Sequence, residues 1–364
     1  MELRKGLRWL CVATASVISG GGFARASGNF QIVLNPSPAL AANPDALAAF
    51  DAAANAWSSQ ITSAFPVTIN INADLSPILN SDGSVSTNII GQTSFGTYSD
   101  LNRAYDLVRN AMEARAARPG DGVLALLPTQ AQVLAHVPTG IVGPSGPLTY
   151  TFDSQHLGVL TANQKALGLI SGTNPGVDGS IQFNSGFSFE YNGVAQADKM
   201  DFRTVATHEI GHLLGFTSDV DDFDVAMSQG KDLSDDLTTL DLFRFNNGEI
   251  PTAANFATAP RELRPGFESV TWDLKNAYGM STGFFNGDGS QASHWEDDFL
   301  TGQLIGIMDP TLSFGTIETI QPADLRAMEL MGYDVVPEPG VGAVIVLVGC
   351  ALAHASRRPS RRRR

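Results

Sequence analysis

The chain has 364 residues, 43% of them hydrophobic, with 36 glycines, 19 prolines and a formal net charge of −14. That length and composition suit one large or two modest globular, loop-rich domains with a real core. The acidic balance argues against a body that binds nucleic acid or an anionic membrane surface.

The first element reads as an address. Arg4, Lys5 and Arg8 precede an apolar run from Trp9 to about Ser19, and Ala24-Arg25-Ala26 offers a small-x-small cleavage site. Charge, apolar run and cleavage site in that order predict a secretory signal over 1–26, handled by the Sec export machinery, with a mature chain from near Ser27. Cys11 follows the bulky Leu10 and is a poor lipidation site. Cys11 and Cys350 both fall in end segments, so the exported body would contain no disulfide. Residues 27–336 hold thirteen Lys plus Arg against 35 Asp plus Glu, a charge near −22. General solubility accounts for that more simply than a preference for basic substrates.

A helical pattern runs from Pro44 to about Ile61, with Leu47, Phe50 and Trp57 on its apolar side. Val67, Ile69 and Ile71 then alternate as a strand. The spacing of Leu101, Ala104, Tyr105, Val108 and Met112 predicts a second helix from about Asp100 to Ala117, capped by Ser99 and stopped by Pro119-Gly120. Gly122 to Leu127 and Gly140 to Leu148 offer short strands and turns. Ile181, Phe183, Phe187, Phe189 and Tyr191 share one parity and predict a hairpin or long strand. These elements make an α/β or α+β unit with a sheet edge beside the next helix. An extended peptide could pair with such an edge.

That next helix carries His208-Glu209-Ile210-Gly211-His212. Phe202, Val205, Ala206, Ile210, Leu213 and Leu214 give it a buried side, and Gly215 can end it in a left-handed turn. A four-residue step is roughly 1.1 turns and about 6 Å of rise, so both imidazoles leave one face and can close on one metal. Zn2+ accepts neutral imidazole nitrogen, and Glu209 is placed as general base toward a zinc-bound water rather than as a ligand. With no cysteine in the body, a cysteine latency switch on that metal is excluded.

A catalytic zinc usually takes three protein ligands. The compact pattern HExxHxxGxxH would put a histidine at 218, where this chain has Ser218, with Asp219 one place off register. Of the other histidines, His136 and His156 have no ligand-like context, and His354 lies in the tail. His294 stands in Ser293-His294-Trp295-Glu296, with Ile307-Met308-Asp309-Pro310 following. Asp219 is the alternative third ligand, and core packing is the plain alternative for Met308. Asp219, Asp221, Asp222 and Asp224, and also Asn286-Gly287-Asp288-Gly289, are dense enough to suggest calcium, but neither fits EF-hand spacing. They read as solvated acidic loops. From Phe216 to Ser293 there is little regular pattern, and Pro322 to Met331 predicts a last helix capped by Gly332.

HExxH with Gly215, a distant His-Trp-Glu and a later Met-Asp-Pro, in that order, resemble the metzincins and most of all their leishmanolysin-like branch. The resemblance covers about 202–333. It implies zinc held by His208, His212 and His294, Glu209 as general base, and Met308 in a methionine turn beneath the metal. It also implies a catalytic domain over 27–336, with an N-terminal subdomain to about 215 and a loop-rich C-terminal subdomain over 216–336. The activity implied is hydrolysis of a protein or peptide substrate. The alternatives are hydrolysis of a non-peptide amide, or a surface or matrix protein with a purely structural zinc. The last is disfavoured because structural sites normally have four ligands, often cysteine.

At the other end, Pro337-Glu338-Pro339 leads into eighteen uncharged residues, 339–356, and then Arg357, Arg358 and Arg361 to Arg364. Eighteen residues just span a bilayer, and the arginines would stay on the cytoplasmic side. This 337–364 segment resembles the PEP-CTERM sorting signal of Gram-negative bacteria. That likeness implies recognition by an exosortase, removal of the membrane segment, and release to the cell surface or extracellular matrix. The rival is a permanent inner-membrane anchor facing the periplasm.

Overall fold

The computed structural model describes residues 29–96, 101–115, 122–274 and 276–336. The signal-like and tail segments, both cysteines, Ser99 and Pro119-Gly120 lie outside them. Among the described residues no helix is long and apolar enough to cross a membrane.

The architecture is mixed α/β, with several small sheets. Strand β1 (Phe30–Pro36) and helix α1 (Pro44–Ser58) are followed by β2 (Val67–Ser76) and the short β3 (Gly91–Ser94). Then come β4 (Asn102–Ala104), α2 (Tyr105–Glu113), β5 (Tyr150–Gly158), α3 (Thr161–Leu167) and β6 (Gly179–Asn184). The main sheet has the order β1-β2-β6-β3. Its first three strands are parallel, and β3 is an antiparallel edge. Val67, Ile69 and Ile71 point inward because alternate residues of a strand share a face.

Helix α4 (Phe202–Leu214) packs on that sheet and on α1. Asp201 caps its start, accepting from Thr204 N at 2.7 Å. The six apolar residues expected on its inner side are all buried. Small residues of α1, Ala46, Ala49 and Ala53, allow close approach, and Trp57 Nε1 donates to Thr207 O of α4 at 2.8 Å.

After α4 the chain is more regular than its sequence suggests. Helix α5 (Val220–Gln229) and strand β7 (Leu233–Thr238) are followed by β8 (Arg244–Asn246), β9 (Ser269–Trp272) and β10 (Ala277–Met280). β7 runs parallel to β5, with β4 antiparallel on the other side of β5, and β8-β9-β10 form an antiparallel sheet. Helix α6 (Pro322–Leu330) closes the fold, and Tyr333 just beyond it donates from its hydroxyl to Leu214 O at 2.6 Å.

Four expectations need correction. The second helix is shorter among the described residues, because Asn102–Ala104 pairs with β5 instead of winding. The first helix stops at Ser58, and Ile61 pairs with Val335. Val123–Leu126 is a 3-10 turn rather than a strand. The 181–191 alternation is one strand that breaks at a turn after Asn184, with Phe189–Glu190 pairing separately to Met200–Asp201.

The buried apolar residues form two clusters. One joins the main sheet, α1, α4, Trp295, Met308 and α6. The other joins α2, β5, α5 and the segment from Leu237 to Leu263.

Candidate metal centre and cleft

His208 and His212 leave α4 on the same face, and a loop that follows β10 brings His294 to them. The three Nε2 atoms stand 3.0, 3.2 and 3.2 Å apart. Each Nδ1 faces a backbone carbonyl: Ile307 O for His208 at 2.8 Å, Phe216 O for His212 at 2.8 Å and Gln291 O for His294 at 3.0 Å. A carbonyl can only accept, so each Nδ1 carries the proton and each Nε2 presents a bare lone pair. Three lone pairs facing one another have no proton to share and repel unless a cation lies among them. Nitrogens about 2.0–2.1 Å from a tetrahedral zinc stand about 3.3 Å apart, close to the spacing seen. The donor set therefore fits zinc, and the Nδ1 hydrogen bonds are the outer support that metal-binding histidines use.

Burial keeps these imidazoles neutral. It holds His208 down at about 4 and His294 at about 3, with the neighbouring His208 adding to the effect on His294. Burial and then the other two imidazoles hold His212 well below the usual range.

The supporting residues have visible roles. Gly215, at φ +124°, turns the chain so that the Phe216 carbonyl comes back to His212 Nδ1. Met308 is fully buried, and its O accepts from Trp295 N at 2.9 Å. A side chain on Gly211 would collide with Met308 Sδ, so the sulfur lies directly against α4. Asp324 of α6 ties the parts together. It accepts from Trp295 Nε1 at 2.8 Å, from Ile307 N at 2.8 Å and from Gln321 N at 2.7 Å. Sequence reasoning missed Asp324, although its place three residues after Gln321 marks a capping-box position.

Glu209 lies at the floor of a cleft of about 850 Å³ that all three histidines line. Its Oε2 accepts from Thr93 Oγ1 at 2.6 Å, and burial raises its pKa to about 7 against that hydrogen bond. Thr93 belongs to β3, the edge strand, and Gly91 and Gln92 line the cleft beside it. A Cβ on Gly91 would stand 2.7 Å from Glu209 Oε1, so this glycine lets the edge reach the helix. Thr93 and Gly91 carried no signal in the sequence, because only folding brings them to Glu209.

The other proposed or discounted ligands lie elsewhere. Ser218 donates from Oγ to Asp241 Oδ1 at 2.6 Å, and Asp219 sits among other aspartates, apart from the histidines. His136 meets Glu249 at 2.9 Å, and His156 meets Asp153 at 2.8 Å. The acidic run after α4 is not a solvated loop throughout. Asp221 accepts from Ala292 N at 2.6 Å and Ser293 N at 3.1 Å, and Asp224 accepts from Phe285 N at 2.7 Å and Asn286 N at 2.8 Å.

Comparison with protein-family models, curated proteins and solved structures found no match for this chain.

Proposed function

We propose that this chain is an exported zinc metallopeptidase of the metzincin type, nearest the leishmanolysin-like branch. The observation that carries the reading is the convergence of three bare imidazole nitrogens beside a buried glutamate, in a cleft bordered by a sheet edge. His208, His212 and His294 would hold Zn2+, which supplies a Lewis acid and lowers the pKa of water at the site. Glu209 takes a proton from the attacking water and returns it to the leaving amine. Thr93 orients the Glu209 carboxylate, and the edge of β3 offers backbone groups to an extended peptide. Met308 packs beneath α4 as the methionine turn of this reading. Export through the Sec machinery, followed by exosortase processing of 337–364, belongs to the same proposal and places the enzyme at the cell surface or in the extracellular matrix.

The test measures zinc content and cleavage of a protein substrate together. Glu209→Gln should retain zinc and lose activity by about 10²–10⁴-fold. His294→Ala should lose both zinc and activity. Hydrolysis that survives Glu209→Gln would sink the mechanism, and full zinc in His294→Ala would sink the ligand set. A purely structural zinc predicts no hydrolysis in the parent protein.

A further inference from the structure

A second group of side chains lies apart from the cleft. Asp219 immediately precedes α5, Asp222 is in its first turn, and Asp235 and Asp236 are on β7. Carboxylate oxygens of Asp219, Asp222 and Asp235 come within 4.8 Å of one another. Neighbours on a strand ordinarily face opposite ways. Here the pairing of β7 with β5 shifts register between Asp235 and Leu237, and such an irregularity lets consecutive side chains share a side. The Asp236 carboxyl accordingly meets that of Asp219, and both flank Gly158 of β5. A Cβ at Gly158 would stand 3.3 Å from Asp236 Oδ1 and 3.7 Å from Asp219 Oδ2.

Acidic residues gather at many surfaces without a ligand. This group has a further property. Asp236 is only 2% exposed, yet its Oδ2 has no hydrogen-bond partner, and Asp219 Oδ2 is equally shut from water and equally unpartnered. An unpaired buried carboxylate oxygen is strongly unfavourable. No lysine or arginine among the described residues pairs with any of the four acids. His156 on β5 is hydrogen-bonded to Asp153 and reaches Asp236 only through space, and Arg244 acts on Asp221 and Asp241. Asp241 is itself satisfied by Ser218 Oγ, Asp219 N and Thr238 N. The trio Asp297, Asp298 and Asp309 is different in kind. Asp309 accepts from Asp298 N and Thr311 N, and Asp297 accepts from Phe299 N.

We propose that Asp219, Asp222 and Asp235, with Asp236 flanking Asp219, form a binding site for a hard divalent cation, calcium in preference to magnesium. The donors are all oxygen, which excludes a soft-metal site. Calcium binds oxygens at about 2.3–2.6 Å, so ligands on opposite sides of one ion stand up to about 5 Å apart, in keeping with this spacing. Magnesium demands a more regular and tighter octahedron than two aspartates on a helix start and two on an irregular strand provide. Without a cation, burial raises all of these groups, Asp235 to about 7 and Asp236 to about 6, and the neighbouring carboxylates add to the effect on Asp219 and Asp235.

The location suggests what the cation does. It joins the start of α5 to β7, and that same start carries Ser218 and Asp221. Ser218 N donates to Ser293 Oγ at 2.9 Å, and Asp221 accepts from Ala292 N and Ser293 N. The cation thus braces the segment that presents His294.

Equilibrium dialysis of the full chain against calcium, in zinc-containing buffer, should find one bound equivalent. At a hundredfold excess over Kd, calcium should raise Tm by about 4 °C, and magnesium by less. Asp235→Asn should abolish the calcium equivalent and the shift while keeping zinc. The partly exposed Asp222→Asn, which leaves the core untouched, should weaken calcium by at least tenfold. The proposal is overturned if the parent retains no calcium and melts identically with and without it. It is also overturned if Asp222→Asn and Asp236→Asn melt higher than the parent whether or not calcium is present, since that marks a cluster relieved by protons alone.

Discussion

Thr93 is the residue on which the chemistry of Glu209 turns. Its Oγ1 is 2.6 Å from Glu209 Oε2 and 3.0 Å from Glu209 O, and its single proton goes to the nearer, charged carboxylate oxygen. Hydrogen bonds to a charged group contribute about 1.5–3 kcal/mol, or roughly 10–100-fold in a rate. Thr93→Val keeps the shape and removes the donor. With the hydrogen bond gone, burial of Glu209 is less opposed and its pKa rises further. A general base must be ionised, so the acidic limb of kcat/KM should move to higher pH, with kcat reduced about tenfold or more and KM nearly unchanged. A pH-rate profile identical to that of the parent would deny Thr93 a positioning role. The difference between Thr93 and His208 is also the difference in what a sequence can reveal. His208, Glu209 and His212 lie within five residues, and helix geometry alone puts them together. His294 is 82 residues beyond His212 and was reached through motif order. Thr93 and Gly91 belong to no motif and Asp324 only to a helix cap, and their importance at the site follows from tertiary contacts.

Elements with a clean apolar period were legible, and those whose buried face is polar were not. The α4 pattern and the inward residues of β2 are ordinary consequences of helical and strand spacing. β7 reads Leu-Ser-Asp-Asp-Leu-Thr, which looks like a surface loop, yet Asp235, Asp236 and Thr238 are buried, Thr238 on Thr217 O and Asp241 and the two aspartates among other carboxyl groups. Residues 102–104 fit a helical period but are claimed by β5, a tertiary pairing overriding local preference. The antiparallel edge strand β3 is too short and polar, Gly-Gln-Thr-Ser, to announce itself. Among the described residues its pairing with β6 leaves its other side free, and its residues border the cleft. An extended substrate that adds to this edge exchanges ladder hydrogen bonds at alternate residues only. Single N-methylation along a cleaved peptide should therefore reduce kcat/KM about tenfold or more at every second backbone amide and change it little between them. A uniform response along the peptide, or none, would show that β3 does not pair with substrate.

At the scale of the whole molecule the fold concentrates carboxyl groups in places where burial disfavours their charge. Burial, the leading cause in each, lifts Asp221, Asp236, Asp309 and Asp324 to about 6, Asp235 to about 7 and Glu318 to about 8. Each binds its proton more tightly folded than unfolded. Its contribution to stability is fully present below the unfolded carboxyl pKa of about 4 and is lost as pH rises through the folded value. The three metal-site histidines act in the opposite sense. Their folded pKa values are depressed, so their contribution is present above the unfolded value of about 6.5 and is lost as pH falls. Below pH 6.5 the two sets oppose each other. Between about 6.5 and 8 the histidines are already neutral in the folded state and finish losing their protons in the unfolded one, while the raised carboxyls hold more protons and set the sign of the slope. The metal-free protein should therefore lose stability steadily from pH 6.5 to 8, read as a falling urea midpoint with an unchanged m-value. Adding zinc and calcium should flatten that decline, because a bound cation replaces the proton as the partner of the charged oxygens. A metal-free midpoint that rises over the same interval would mean that these carboxyls ionise as they do in the unfolded chain. The burial that surrounds them would then have to be compensated by charges or hydrogen bonds other than those identified.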